Sequence, residues 1–135
     1  MKRPISDVLQ RIDKARDRAM AQLVTNTQSK LAASAPRDTG RLASSFFVGK
    51  NNPDRSVTSM PWAPDGAGYV EVTRYPGKIT YEGQWHITNN LPYAVRAALD
   101  PGYPGKRNSG AWFTTIRSGL PADADRIFER AFKDF

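Results

Sequence analysis

The sequence predicts a single α+β domain with a long N-terminal helix, an antiparallel sheet of about four strands, short helices and a C-terminal helix. Apolar residues recur at steps of three and four over the first quarter of the chain, and this helical period returns near the C terminus. Between them lie alternating segments rich in β-branched and aromatic residues, which favour strands. At 135 residues the chain fits one domain, residues 1–135, with a core that buries roughly two thirds of the unfolded surface.

The first helix is predicted over residues 4–33. Pro4 suits a first helical turn, and Arg11, Lys14 and Arg18 lie on the face opposite the apolar residues. The apolar stripe consists of Ile5, Val8, Leu9, Ile12, Ala15, Ala19, Met20, Leu23, Thr27 and Leu31. At 1.5 Å per residue the helix is roughly 40 Å long, which is large for so small a domain. We therefore expect part of it to project from the core or to pack on a neighbouring subunit.

A turn is predicted directly after this helix. Pro36 disfavours helical geometry at the residue before it, so the helix ends there. Asp38 can accept a hydrogen bond from a backbone N–H one or two residues on, and Gly40 permits a positive φ. Leu42 and Phe46 then offer apolar anchors for the segment that follows.

The middle of the chain is predicted to form the sheet. The predicted strands are 45–50, 69–75 and 83–89, with Ile79 and Tyr81 as a further short strand or the flank of a wide hairpin. Pro76-Gly77 marks a turn. Residues 51–68 are rich in Asn, Pro, Asp, Ser and Gly and are predicted to form a long loop.

Three further segments complete the predicted fold. A short helix begins at Pro92 and ends near residue 99, and residues 100–110 form a basic surface loop. Trp112, Ile116 and Leu120 lie at steps of four, so a short helix is expected there until Gly119 interrupts it. The last helix is predicted to begin near Pro121.

Composition excludes several classes of function. The chain has no cysteine, which removes a disulfide framework, a thiolate nucleophile and a cysteine-based zinc site. It has no apolar run of 18 or more residues, so we expect neither a signal peptide nor a membrane span. Twenty basic residues against thirteen acidic ones leave a net charge of +7, mostly on the first helix and the turn after it. A basic face of this kind can contact nucleic acid, an acidic protein partner or nothing at all, so the charge alone does not decide the function.

Residues capable of catalysis or metal binding are sparse. His86 is the single histidine, and its place in a predicted strand favours a half-exposed strand residue; a hydrolase reading would need Glu82 or Glu71 beside it. The acidic residues of the middle region, Asp54, Asp65, Glu71, Glu82 and Asp100, show no regular ligand spacing. We therefore predict no enzyme, no metal and no cofactor.

The three tryptophans divide into two groups. Trp85 and Trp112 fall at core-like periods and are predicted to pack in the core, while Trp62, in a proline-rich loop, is predicted to be an anchor or an interface residue. Aromatic residues among basic ones also suit single-stranded nucleic acid.

Two passages in order resemble the tail-completion (minor tail component) family of long-tailed bacteriophages. They are the turn Pro36, Asp38, Thr39, Gly40, Leu42 and the strand-end motif Asn89, Pro92, Tyr93, Ala94. In that family a long N-terminal helix leads to a proline and a D-T-G-x-L turn, and a strand ending in N-x-x-P-Y-A leads to the closing loop and helix. The family commonly continues into an E-x-G element, whereas residues 95–102 here differ.

The resemblance implies a structural virion protein of the neck or of the head-proximal end of the tail. It implies an α+β domain that assembles as a homo-oligomeric ring, with six copies expected, in the host cytoplasm and without a membrane. The partners would be the chain itself and neighbouring neck, connector or tail proteins, with DNA in the lumen as a further contact. The turn would then define the fold rather than bind a ligand.

A second hypothesis stays open beside this one. The chain could be an independent nucleic-acid-binding domain that uses Arg11, Lys14 and Arg18 of the first helix with Lys106 and Arg107 of the basic loop. These five residues and Trp62 are the candidate interface in either case.

Overall fold

The computed structural model of the chain describes residues 4–36, 40–59, 70–100 and 111–133. Within these ranges the α+β class is confirmed. The elements in chain order are helix α1 (Ile5–Ser34), a 3-10 turn (Ala43–Ser45), strands β1 (Phe46–Lys50) and β2 (Trp85–Asn89), helix α2 (Ala94–Leu99) and helix α3 (Trp112–Ala131).

Helix α1 agrees with its predicted bounds to within one residue. It ends because Ala35, which precedes Pro36, is extended with φ −63° and ψ 147°. The stripe of α1 is buried from Ala15 onward, where Ala19, Val24 and Leu31 are 6% exposed or less. Residues 4–11 are all exposed, so the N-terminal turns of the helix lie outside the core that the described residues form.

The sheet of the described residues has two strands, and the predicted sheet of about four is not supported. β1 and β2 pair antiparallel, with Phe46 opposite Asn89 and Lys50 opposite Trp85. Beyond this ladder, the N–H of Asn51 donates to the carbonyl oxygen of Gln84 at 2.6 Å. The excursion between residues 51 and 84 therefore leaves and returns at one end of the ladder.

The described part of the predicted strand 69–75 has no regular secondary structure and joins no ladder, so that prediction is wrong for residues 70–75. Its backbone groups bind side chains instead of a neighbouring strand. The N–H of Glu71 donates to Ser44 Oγ at 2.9 Å, and the carbonyl of Thr73 accepts from Gln28 Nε2 at 2.8 Å. The further strand suggested at Ile79 and Tyr81 is absent for the same reason, since the N–H of Tyr81 donates to Asp17 Oδ1 at 2.9 Å.

Helix α3 is continuous through Gly119 and Pro121, where a break was predicted. The buried and half-buried side chains of α3 keep one helical phase from Trp112 to Ala131, so packing against α1 holds the backbone helical. Pro121 is exposed, and a Cβ at Gly119 would meet open space. The interior proline therefore lies on the solvent side of the helix.

The core lies between α1, α3 and one face of the sheet, and α2 closes one end of it. The ring of Phe46 meets the ring of Trp112 edge to face with centroids 6.2 Å apart, and Leu31 packs in the same cluster. The indole N–H of Trp112 donates to the carbonyl of Ala97 at 3.0 Å, which satisfies the one polar atom that the ring buries. Trp112 thus lies in the core as predicted, while Trp85 is half-buried.

Candidate functional site

The two passages that carry the family resemblance touch each other in the fold. Asn89 Nδ2 donates to the carbonyl oxygen of Leu42 at 2.8 Å, and Asn89 Oδ1 accepts from the N–H of Leu91 at 3.3 Å. One amide side chain therefore satisfies a carbonyl of the turn and a donor just beyond the strand end. The motif residues hold the fold together at this point.

The turn after α1 is closed by short backbone hydrogen bonds. Gly40 has a φ of 80°, which a residue with a Cβ avoids, and its carbonyl accepts from the N–H of Ser44 at 3.0 Å. Leu42 is 5% exposed and Pro36 is buried, so both pack inward. Asp38 and Thr39 lie outside the described residues.

Two consecutive serines fasten the chain on both sides of residues 60–69. Ser45 Oγ accepts from the N–H of Thr58 at 3.2 Å, and Ser44 Oγ accepts from the N–H of Glu71 at 2.9 Å. Both serines are buried, so these acceptors are specific anchors rather than surface contacts. Thr58 and Glu71 are thus both tied to the 3-10 turn; Trp62 lies outside the described residues.

Gln28 is the polar centre of the core and was not singled out by the sequence. It is 1% exposed, and its Nε2 donates to the carbonyls of Phe46 and Thr73 at 2.8 Å each. Its Oε1 accepts from Arg74 Nη1 at 3.2 Å. The side chain of Gln28 therefore positions both β1 and the segment 70–75. The sequence feature that could have revealed this role is a glutamine on the buried side of the helix, directly after Thr27.

The segment 51–59 lies against the sheet face that points away from the core. Thr88 Oγ1 and Asn90 Nδ2 both donate to the carbonyl of Asp54 at 2.7 Å. The hydroxyl and the backbone N–H of Ser56 bind the Asp54 carboxylate and lower its pKa below 3.8. A Cβ at Gly49 would overlap the backbone of this segment, so glycine is required for the close approach.

The strand-end motif turns the chain from β2 into α2. Leu91 is 6% exposed, and its carbonyl accepts from the N–H of Ala94 at 3.0 Å. Tyr93 and Ala94 pack against the core cluster, whereas Pro92 is exposed. Three of the four motif residues, namely Asn89, Tyr93 and Ala94, therefore have contacts inside the domain.

The basic residues of α1 face solvent. Arg11, Lys14 and Arg18 are exposed, and Lys14 and Arg18 line an open groove of about 420 Å³ together with Lys78 and Asp17. Three cations and one carboxylate leave this basic groove net positive. The sequence indicated two of these cations but did not place Lys78 with them. Lys106 and Arg107 lie outside the described residues.

The N-terminal turns of α1 carry apolar side chains that nothing in the described part of the chain covers. Ile5 is 78% exposed, Leu9 is 55% exposed and Val8 is 37% exposed. Ile12, one turn further on, is half-buried. We refer to these four residues as the exposed stripe.

An apolar cleft lies between the middle of α1, α3 and β2. Its volume is 380 Å³, and the walls include Met20 and Val24 of α1, Ile87 of β2, and Ile116 and Leu120 of α3. Arg117 is the one charged residue among the described lining residues. Clefts of this size and polarity receive apolar groups.

The described residues show the surroundings of His86 and of acidic side chains that were considered for catalysis and metal binding. His86 Nε2 is buried without a hydrogen-bond partner there, so no relay to Glu71 or Glu82 forms at that nitrogen. Across the same ranges no three His, Asp or Glu side chains cluster as a metal site. None of the described helices combines the length and the apolar character that crossing a membrane requires.

No protein-family model, curated protein or solved structure matches this chain.

Proposed function

We propose that the chain is a structural virion protein of the phage neck or head-proximal tail end, where it completes the tail or joins it to the head as a homo-oligomeric ring. The observation that carries this proposal is the exposed stripe on the N-terminal turns of α1. A soluble domain exposes such a row of aliphatic side chains at a cost unless a partner covers it. The resemblance of the turn and of the strand-end motif to tail-completion proteins is the reason for proposing neck and tail proteins as the partners.

The contacts of the motif residues agree with a structural role. Asn89 binds Leu42, and Ser44 and Ser45 anchor the chain on both sides of residues 60–69. Every one of these groups is used inside the domain. The proposal therefore assigns no catalytic step to the chain, and it locates assembly at the surfaces of α1. The ring is proposed to contain six copies.

Deletion of the gene from the genome that carries it tests this function. The particles produced are imaged by electron microscopy, and complementation in trans provides the control. We expect separated heads and tails, or tails with an incomplete head-proximal end, and recovery on complementation. Normal infective virions from the deletion strain would overturn the proposal.

A second candidate function is binding of nucleic acid, and the basic groove is the observation that favours it. Lys14, Arg18 and Lys78 surround one open groove, and phosphate contacts of this kind are independent of sequence. Fluorescence anisotropy with duplex DNA should show affinity that falls steeply with salt. Charge reversal of Lys14 and Arg18 should weaken binding, whereas the matched reversal of Arg130 and Lys133, both exposed near the end of α3, should weaken it less. Absence of binding at low salt would exclude this function.

A further inference from the structure

We propose that the exposed stripe of one copy docks into the apolar cleft of a second copy, so that chains join head to tail. This inference rests on the proposed ring assembly and names the surfaces that form it. Ile5, Val8 and Leu9 are the inserted side chains. The cleft between α1, α3 and β2 receives them.

The stripe cannot enter the cleft of its own molecule. Leu9 and Val24 belong to the same continuous helix, which runs from residue 5 to residue 34. Fifteen residues separate the two positions, a distance of about 22 Å along the axis at 1.5 Å per residue. An unbroken helix cannot fold back over that distance, so an occupant with this stripe must come from another molecule.

The two surfaces suit each other in polarity. The exposed stripe presents apolar residues at positions 5, 8, 9 and 12. This spacing is typical of amphipathic helices that bind in hydrophobic grooves. The cleft of 380 Å³ is walled by aliphatic and aromatic side chains of three elements.

The contact joins two different surfaces, so it repeats in one direction and closes into a ring when the rotation between copies permits. Each contact is small. Ile5, Val8 and Leu9, which are 78%, 37% and 55% exposed, present an area on the order of 300 Å², against about 800 Å² per partner in a standard stable interface. A single contact therefore dissociates readily, and ring closure or docking on a neighbouring virion protein is required to hold the copies together.

Intermolecular paramagnetic relaxation tests this contact in the full chain. Because the chain has no cysteine, Ser6→Cys carries a single nitroxide label beside the stripe. Labelled chain is mixed with methyl-labelled wild-type chain at about 1 mM, a concentration that populates contacts with millimolar dissociation constants. We expect broadening at the methyl groups of Ile87, Ile116 and Leu120. A label at Asp125→Cys, on the exposed side of α3, should leave them sharp.

A pair of substitutions decides whether the stripe is responsible. Leu9→Lys, made in the Ser6-labelled chain, should abolish the broadening, while Gln10→Lys, the same charge change on the opposite side of α1, should preserve it. Absence of broadening, broadening centred on exposed Val95 and Leu99 of α2, or broadening that survives Leu9→Lys would each overturn the inference.

The same variants separate this inference from the proposed function. If Leu9→Lys blocks virion assembly but the labelled stripe does not reach the cleft of another copy, a different neck or tail protein covers the stripe; the function then stands and the inference falls. If deletion of the gene leaves virions normal, the proposed function fails whatever the broadening shows.

Discussion

Replacement of Gln28 by leucine tests whether one buried amide holds the two halves of the domain together. Leucine fills a similar volume but removes the donor to the carbonyls of Phe46 and Thr73 and the acceptor for Arg74. Because Gln28 is 1% exposed, solvent cannot replace it at Phe46 without a rearrangement of the core. Thr73 and Arg74 are exposed and can turn to water.

The expected cost follows from these environments. An orphaned buried carbonyl costs about 1–3 kcal/mol, and a lost bond to a hydrated group costs about 0.5–1.5 kcal/mol. Burial of additional aliphatic surface returns about 1 kcal/mol. With one orphaned carbonyl and two lost bonds to hydrated groups, the net destabilisation by Gln28→Leu is therefore about 3 kcal/mol, which lowers the melting temperature by roughly 10 °C for a domain of this size.

Guanidinium denaturation followed by tryptophan fluorescence measures the loss. Gln22→Leu is the matched control, since Gln22 lies on the same helix and is exposed; its free energy of unfolding should change by less than about 0.5 kcal/mol. Equal unfolding midpoints for the two variants would refute the role assigned to Gln28. A loss of more than about 4 kcal/mol would show that the hydrogen bonds act together rather than separately.

Three other predictions concern the turn, the ion pair between helices and α3. Asn89→Ala removes the bonds to Leu42 and Leu91 and should cost about 1–2 kcal/mol in chemical denaturation, against no change if water replaces the amide. The hydrogen bond from Lys30, followed by that from Arg126, lowers the pKa of Asp123 below 3.8. The stability that the ionised Asp123 provides is therefore present above that value and is lost as pH falls through the folded-state pKa. Between about pH 6 and pH 3 the wild type should lose more stability than Asp123→Asn, and parallel curves of stability against pH would contradict this. Pro121→Ala should raise the unfolding midpoint by the equivalent of about 1–2 kcal/mol, because the roughly 3 kcal/mol that proline costs inside a helix outweighs the stability of up to about 1 kcal/mol that proline provides by restricting the unfolded chain; a lower midpoint would show that the helix needs the proline's geometry.

The sequence predicted those parts of the fold that local rules decide. The end of α1 depends on Pro36 alone, and the position of β2 depends on its own alternation, so both were predicted to within two residues. The segment 70–75 alternates in the same way, yet its partners are the side chains of Ser44 and Gln28. Alternation reveals that a segment is extended and half-buried, but it does not reveal whether a strand or a set of side chains satisfies its backbone.

Helix α3 shows the opposite limit of local rules. Gly119 and Pro121 are strong helix breakers, so the sequence predicted a break between two helices. The apolar residues of α3, however, keep one helical phase from Trp112 to Ile127. In the fold these apolar residues of α3 pack against α1. Gly119 and Pro121 occupy positions where the missing side chain and the missing N–H remove few packing contacts. The phase of the stripe across the breakers was the better predictor.

The candidate surfaces were predicted only where they lie on one element. Arg11, Lys14 and Arg18 are exposed on α1 as its periodicity indicated. Lys78 joins Lys14 and Arg18 in the basic groove. The chain reaches this position because Arg74 and Tyr81 bind α1 more than forty residues away in sequence. Contacts between residues so far apart leave no periodic pattern in the sequence. Neither the basic groove nor the apolar cleft could therefore be predicted without the structure.

The residues that carry the family resemblance and the residues proposed to assemble the chain are different sets, and this separation gives the proposed function a sharp test. Gly40 and Asn89 act inside the domain, so their substitution should impair assembly only to the extent that it lowers the free energy of unfolding. Leu9 is 55% exposed and lies on turns that the core does not use, so Leu9→Lys should impair assembly while the free energy of unfolding stays within about 0.5 kcal/mol of the wild type. If assembly instead follows stability through both groups of variants, the stripe is not an interface, and the part of the chain that contacts partners must lie elsewhere.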